Sequence, residues 1–332
     1  MIKDFNNKRI TYIDLFRATG IIAMIMGHIN FGWHFDHLIH GFHMPMFFFV
    51  SGYFFKRIES SSTLLHKIGV RCKTLLMPYF LFAVLHIVMN SLLNGHFQFD
   101  SLRLLFFNTD LDGIPIAGAL WFLTSLFLAD VIYMILDYIL GYGIIMHCII
   151  LAVGLAGNVL GLYLPIRLPF GIDVSFVGMV FMHIGRIIHQ EYKKIVDLNV
   201  LLSLLFFAFG CVLIIINPYV NLRQGQYGNV LVFWISSTLT IIGLWNICRI
   251  FDKWINSKNI LQYVYILNIG RDSIVYVCLN QLAILVSFNL MSLVELPMWP
   301  TKICVLIITM ILLEGLRRAL TKTKLKCLIG KN

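Results

Sequence analysis

Ten runs of mostly apolar residues, each close to the length a helix needs to cross a bilayer, follow one another along this chain with short connections between them. A bilayer core takes about 20 residues of helix. Runs of that kind fall at roughly 12–33, 38–55, 74–94, 118–140, 143–163, 170–188, 198–217, 228–250, 272–294 and 299–319. Of the 332 residues, 59% are apolar and 13% charged, against about 45–50% and about 25% in a soluble domain. Such a surface excludes a cytoplasmic enzyme, a disordered chain and a nucleic-acid binder. In lipid every backbone polar group must be satisfied inside the segment. The expected fold is therefore an all-α membrane protein, a single polytopic bundle of about ten transmembrane helices. It occupies 1–332 as one unit, ending in a basic tail at 320–332.

The net charge of +10 tests that arrangement. Lys3, Lys8, Arg9, Lys56, Arg57, Lys67, Arg71, Lys73, Arg186, Lys193, Lys194, Arg249, Lys253, Lys258, Arg271, Arg317, Arg318, Lys322, Lys324, Lys326 and Lys331 fall on one side of ten alternating spans, 21 of the 26 basic residues. Arg103, Arg167, Arg223 and Lys302 fall on the other, and Arg17 lies inside the first span. The positive-inside rule assigns the crowded side, with both termini, to the cytoplasm. A plasma-membrane, multi-pass protein is expected. The first run follows basic residues, as a signal peptide does, yet it holds Arg17 and His28, lacks a small-residue cleavage site and leads straight into the second run. It is expected to stay in the mature chain. Five of the seven cysteines lie within runs, Cys72 and Cys327 lie on the cytoplasmic side, and no CxxC or zinc spacing occurs. No disulfide framework is expected.

Ionisable residues inside apolar runs cost about 2.5–3.5 kcal/mol on insertion scales and mark functional sites by default. The first run carries Asp14, Arg17 and His28. Eleven residues from Arg17 to His28 make about three turns, so the two share a face about 16 Å apart. Asp14 is one turn before Arg17, close enough to pair with it. Gly20 and Gly27 offer places for another helix to approach. The structural alternatives are an Arg17 that snorkels to the headgroups and a neutral His28 bonded to a neighbouring helix. Next come His34, Asp36, His37, His40 and His43. Imidazole and carboxylate suit several transition metals, but steps of three rotate about 60° each on a helix, so the four histidines do not share a face and no metal site is assigned. His43 opens the second run, which Pro45, Ser51 and Gly52 interrupt. Broken helices at membrane depth face protein or a cavity.

At these residues the chain resembles the acyltransferase 3 group of integral-membrane O-acyltransferases, especially its fucose 4-O-acetylase-like branch. Asp14-Leu-Phe-Arg17 with Gly27-His28 is similar to that family's Arg-x10-His signature, and Phe42-His-Met-Pro-Met-Phe-Phe-Phe-Val-Ser-Gly-Tyr53 to its second-helix motif. Leu76-Met-Pro78-Tyr79, Ala119-Leu-Trp121-Phe-Leu, Pro169-Phe-Gly-Ile-Asp173 with Gly185, and Ile269-Gly-Arg-Asp-Ser273-Ile resemble later helices in family order. The chain departs from the pattern at Lys67-Ile-Gly-Val-Arg71-Cys-Lys73, where relatives often carry Arg-x-x-Arg, and at Asn280, where many carry histidine.

The resemblance implies transfer of an acyl group, usually acetyl, from a coenzyme A thioester to a sugar hydroxyl of a surface glycan, an exopolysaccharide or its lipid-linked precursor. Acetyl-coenzyme A would be a co-substrate, with no permanently bound cofactor. The partners would be membrane lipids and the glycan acceptor, with no nucleic acid. An imidazole suits the base such a transfer needs near pH 7, and basic residues suit the phosphates of the donor. The expectation assigns His28, Arg17 and Asp14 to catalysis. Arg17, Arg71 and Lys73 would bind the donor, while His43, Trp121 and Asp173 would line the acceptor pocket. A transporter or flippase for a lipid-linked glycan is the second reading, since ten helices with polar residues at several depths would serve it too. It has no use for coenzyme A. A membrane di-iron oxidase would need its histidines on the cytoplasmic side, opposite to where these fall.

Overall fold

The computed structural model describes residues 10–95, 99–109, 114, 115, 117–164, 167–256 and 263–331. Lys3, Lys8, Arg9 and Lys258 of the charge asymmetry lie outside them. Thirteen α-helices follow in order among the described residues: α1 (Thr11–Ile29), α2 (Trp33–His40), α3 (His43–Tyr53), α4 (Ser61–Arg71), α5 (Met77–Asn94), α6 (Trp121–Leu140), α7 (Ile144–Tyr163), α8 (Ile172–Gln190), α9 (Val200–Ile216), α10 (Val230–Asn256), α11 (Tyr263–Arg271), α12 (Ser273–Met291) and α13 (Met298–Lys322). No strand accompanies them among those residues beyond an isolated bridge between Asn221 and Gln226.

Among the described residues, seven helices are long and apolar enough to cross a membrane: α1, the run Ser61–Asn94, α6, α7, Pro169–Gln190, Val230–Ile255 and α12. The expected second span, 38–55, instead appears as α2 and α3 with a break between them, and α3 has only 11 residues. At 1.5 Å per residue that is about half of the ~30 Å hydrocarbon core. The cause is local. Pro45 has no N–H to donate to the Gly41 carbonyl one turn earlier, and that carbonyl accepts instead from the Ser237 hydroxyl on α10. The expected basic loop before the third span is also partly helical. Ser60 caps α4 by accepting from the Thr63 N–H, and a π-helical turn at Cys72–Leu76 carries α4 into α5. α13 runs to 25 residues and carries Glu314, Arg317 and Arg318 in its C-terminal third.

α1 is the central helix, contacted by α2, α3, α10, α11, α12 and α13. Without a hydrophobic drive between helices in lipid, close backbone approach at small residues supplies the packing. At the α3–α8 crossing Gly52 lies against the Met182 carbonyl, and Gly185 against the Phe49 carbonyl. At the α1–α11 crossing Gly270 lies against the Asp14 carbonyl. A methyl group at Gly52 would push α3 and α8 apart, and overpacking costs about 1–3 kcal/mol. Gly52→Ala should therefore lower the Tm of detergent-solubilised protein measurably. Gly69→Ala on α4, where nothing lies within 4 Å of the added carbon, should leave it unchanged or raise it slightly.

Candidate active site

α1 sets the geometry of the site. Asn30, in the left-handed conformation with φ 65°, closes the helix by donating its N–H to the Gly27 carbonyl at 2.9 Å. His28 thus stands at one end and Arg17 three turns below it. Both glycines between them are covered by the broken second segment. The Sδ of Met46 on α3 comes within 2.6 Å of where a Gly20 Cβ would be, and Cδ1 of Ile39 on α2 within 2.6 Å of a Gly27 Cβ. The sequence pattern places the polar pair on one face, and the glycines let α2 and α3 close over it.

Arg17 opens into a cavity of about 660 Å³, inside the range of about 300–1,000 Å³ usual for ligand pockets. Its walls carry Arg17, Lys56, Lys67, Arg71, Arg271 and Lys331 against the carboxylates of Asp130 and Asp272. Arg71 Nε pairs with Asp130 Oδ2 at 2.9 Å, and Ser51 donates to Asp130 Oδ1 at 2.6 Å. Asp272 is held by Arg317 at 2.8 Å and by Lys331. The cavity is cationic, and the charges bring fixed partners that keep them in place at low dielectric.

His28 opens into a second, smaller cavity of about 160 Å³, lined also by Met24, Asp36, His40, His43, Met44, Trp121 and Arg223. The His28 side chain is exposed there. His43 is buried, and its Nδ1 meets the Ile39 carbonyl at 2.6 Å. A carbonyl only accepts, so Nδ1 carries the proton and Nε2 the lone pair. His40 Nδ1 lies 2.9 Å from the Asp36 carbonyl and 3.2 Å from Asp36 Oδ1, with its ring 5.1 Å from that of His43. Tyr219 donates to Asp36 Oδ2 at 2.6 Å. Burial pushes the Asp36 carboxyl up, but the hydrogen bonds from His40 and Tyr219 outweigh it and hold the group below the usual carboxylate range. His37 Nε2 meets the Asn217 carbonyl at 3.1 Å. No three His, Cys, Asp or Glu among the described residues form a metal-binding group.

Of the residues expected from the sequence, Arg17 and Arg71 share the basic cavity, while His28, His43 and Trp121 share the histidine cavity. Three stand elsewhere. Lys73 is exposed and outside the cavity wall, because two residues beyond Arg71 a helical side chain leaves from the far side of the turn. Asp173 lies in the first turn of α8, pairs there with Arg167, and is not in the wall of either cavity. Asp14 is buried where α1 crosses α11 and lines neither cavity. The sequence assigns no site role to Asp130, Ser51, Asp272, Lys331 and Arg223, although it marks Ser51 as interrupting the second run. An aspartate inside the apolar run 118–140 is itself a signal, and it could have found Asp130.

The two cavities share three helices. On α1 they hold Arg17 and His28, on α3 Ser51 and His43, and on α6 Phe122 and Trp121. A polar reagent bound at the basic end thus has a histidine cavity three turns along the same helix. A family model described as an acyltransferase domain matches residues 10–314. No curated protein and no solved structure matches the chain.

Proposed function

The chain belongs to the acyltransferase family whose model spans residues 10–314, and on that premise we propose that this integral membrane protein transfers an acyl group, acetyl first, from an acyl-coenzyme A to a sugar hydroxyl of a surface glycan, an exopolysaccharide or its lipid-linked precursor. The observation that carries the reading is α1 with Arg17 in a cationic cavity and His28 exposed in a second cavity along the same helix. The basic end faces the cytoplasm, following the positive-inside rule, and the membrane is the plasma membrane. Arg17 and Arg71 engage the phosphates of the donor, a charge-assisted contact suited to guanidinium. The acyl thioester extends toward His28, and the acceptor hydroxyl enters the histidine cavity with Trp121 offering a face to the sugar ring. His28 takes the hydroxyl proton as the alkoxide attacks the thioester carbonyl. The C–O bond forms, the C–S bond breaks, and the proton passes to the departing coenzyme A thiolate. His43, held in one tautomer by the Ile39 carbonyl, presents Nε2 as an acceptor that orients the sugar.

Coenzyme A distinguishes this reading from a transporter of lipid-linked glycan. It should raise the Tm of the purified protein, by the equivalent of about 2.7 kcal/mol at a hundred times its Kd. A charged hydrogen bond is worth about 1.5–3 kcal/mol, so Arg17→Ala should weaken coenzyme A binding about tenfold or more. No stabilisation of the wild type by coenzyme A or acetyl-coenzyme A would remove the donor from the proposal. NMR of surface glycan from cells with and without the protein then reads the acyl group and its position.

A further inference from the structure

The basic tail after α13 turns back onto the bundle. Thr323 accepts the Leu325 N–H at 3.2 Å, and a 3₁₀ segment at Lys324–Ile329 follows. Gly330 closes that segment in the left-handed conformation, with φ 71°. Its N–H donates to the Cys327 carbonyl at 3.0 Å, and the Lys331 N–H donates to the Lys326 carbonyl at 3.1 Å. Charge alone would leave such a segment in water. Ile329 holds it instead, 2% exposed in the same apolar core as Leu75 and Ile269. A Cβ on Gly330 would come within 2.6 Å of the Thr74 Cα and 2.8 Å of the Lys73 carbonyl oxygen. The tail therefore lies directly on the π-helical turn that follows Arg71. Lys331, the next residue, reaches the other side of the basic cavity, where its Nζ pairs with Asp272 between α11 and α12. Ile329 and Lys331 stand in the cavity wall with Arg17 and Arg71.

Neutralising Asp272 does not exhaust Lys331. Arg317 already holds the other oxygen of that carboxylate at 2.8 Å. Two carboxylates, Asp272 and Glu314, meet three cations, Arg317, Arg318 and Lys331, so the cluster keeps one positive charge in excess. The Lys331 side chain is 37% exposed against 2% for Asp272. An ammonium has three donors, of which the Asp272 oxygen takes one. We propose that Lys331 is a donor-phosphate contact, delivered to the basic cavity by the folded-back tail and aimed by Asp272. The inference rests on the acyltransferase reading and deepens it. A coenzyme A thioester bears a diphosphate and a separate 3′-phosphate, more negative charge than Arg17 and Arg71 offset by themselves. A lysine serves a phosphate as a point charge, and this one comes from the far end of the chain.

The test titrates coenzyme A into the full-length protein in detergent and reads Kd by calorimetry. Lys331→Met keeps the stem and removes the charge. Lys326→Met, exposed in the same segment and outside the cavity wall, removes the same net charge. The expected result is that Lys331→Met weakens binding about tenfold or more, the loss of one charge-assisted hydrogen bond. Lys326→Met should stay within about twofold of the wild type, since exposed charges at a distance are screened. Lys331→Arg, which keeps a cation, should retain most of the affinity. The Tm of Lys331→Met without ligand should stay near that of the wild type, because Arg317 still holds Asp272. Wild-type affinity in Lys331→Met, or an equal loss in Lys326→Met, overturns the contact and leaves the donor reading standing. A wild type that binds no coenzyme A overturns that reading and the contact together.

Discussion

If His28 is the base of the proposed transfer, His28→Ala protein should accumulate in the membrane, elute as the wild type does, and acylate the acceptor about 10²–10⁴-fold more slowly. That magnitude is the usual contribution of a positioned general base. The expectation that it folds comes from the position of His28. The side chain is exposed within its cavity at the end of α1, so truncation opens space without breaking helix contacts. The measurement is transfer of labelled acetyl from acetyl-coenzyme A in membranes, normalised to protein amount. His43→Ala provides the contrast. Its imidazole lends Nδ1 to the Ile39 carbonyl, so its loss should raise KM for the acceptor more than it lowers kcat. Wild-type rates from His28→Ala would move the base to another imidazole of that cavity and end the assignment made here.

Arg186→Ala should be among the most destabilising single changes in the protein, at about 3–5 kcal/mol. Arg186 Nη1 lies 2.7 Å from Asp137 Oδ1, with side-chain exposures of 1% and 0%. The other carboxylate oxygen, Asp137 Oδ2, accepts the Ile58 N–H at 2.8 Å. The guanidinium sits 4.8 Å from the ring centroids of both Phe55 and Tyr142. Removing the cation leaves Asp137 buried and unneutralised and loosens the segment after α3 that Asp137 holds. Thermal unfolding in detergent should show a large drop for Arg186→Ala and for Asp137→Ala. The paired replacement Arg186→Met with Asp137→Leu should recover much of it, because exchanging both partners for apolar groups leaves no orphaned charge. If Arg186→Ala unfolds with the wild type, the pair is not what joins α6 to α8.

These two residues, Asp137 and Arg186, also show what pattern reading passes over. Each sits in an apolar run where an ionisable group is expensive, as conspicuous in principle as Arg17. What made Arg17 and His28 legible was their spacing on one helix, since eleven residues return to the same face by helix geometry alone. Asp130 with Arg71, Asp137 with Arg186, and Asp272 with Arg317 join helices far apart in sequence, and no periodicity within one helix announces such a partner. The same limit explains why Lys73 and Asp173 stand outside both cavity walls: a side chain's direction depends on the turn it occupies and on the neighbour it meets, Arg167 in the second case.

The second segment divides the two kinds of information most sharply. Pro45 and its missing N–H are in the sequence, and with them the interruption of the helix. The Ser237 hydroxyl that satisfies the Gly41 carbonyl comes from almost two hundred residues away, and only the packed bundle supplies it. By itself the sequence determined an all-helical membrane chain, the charge asymmetry and the Arg17–His28 face, because apolar length, charge and helical period are properties of local stretches. Tertiary structure decided that the second run breaks into two short helices, that α2 and α3 fold over Gly20 and Gly27, and that two separate cavities share α1, α3 and α6. The physical reason is that a cavity is the space left by side chains from several helices, and no single helix contains it.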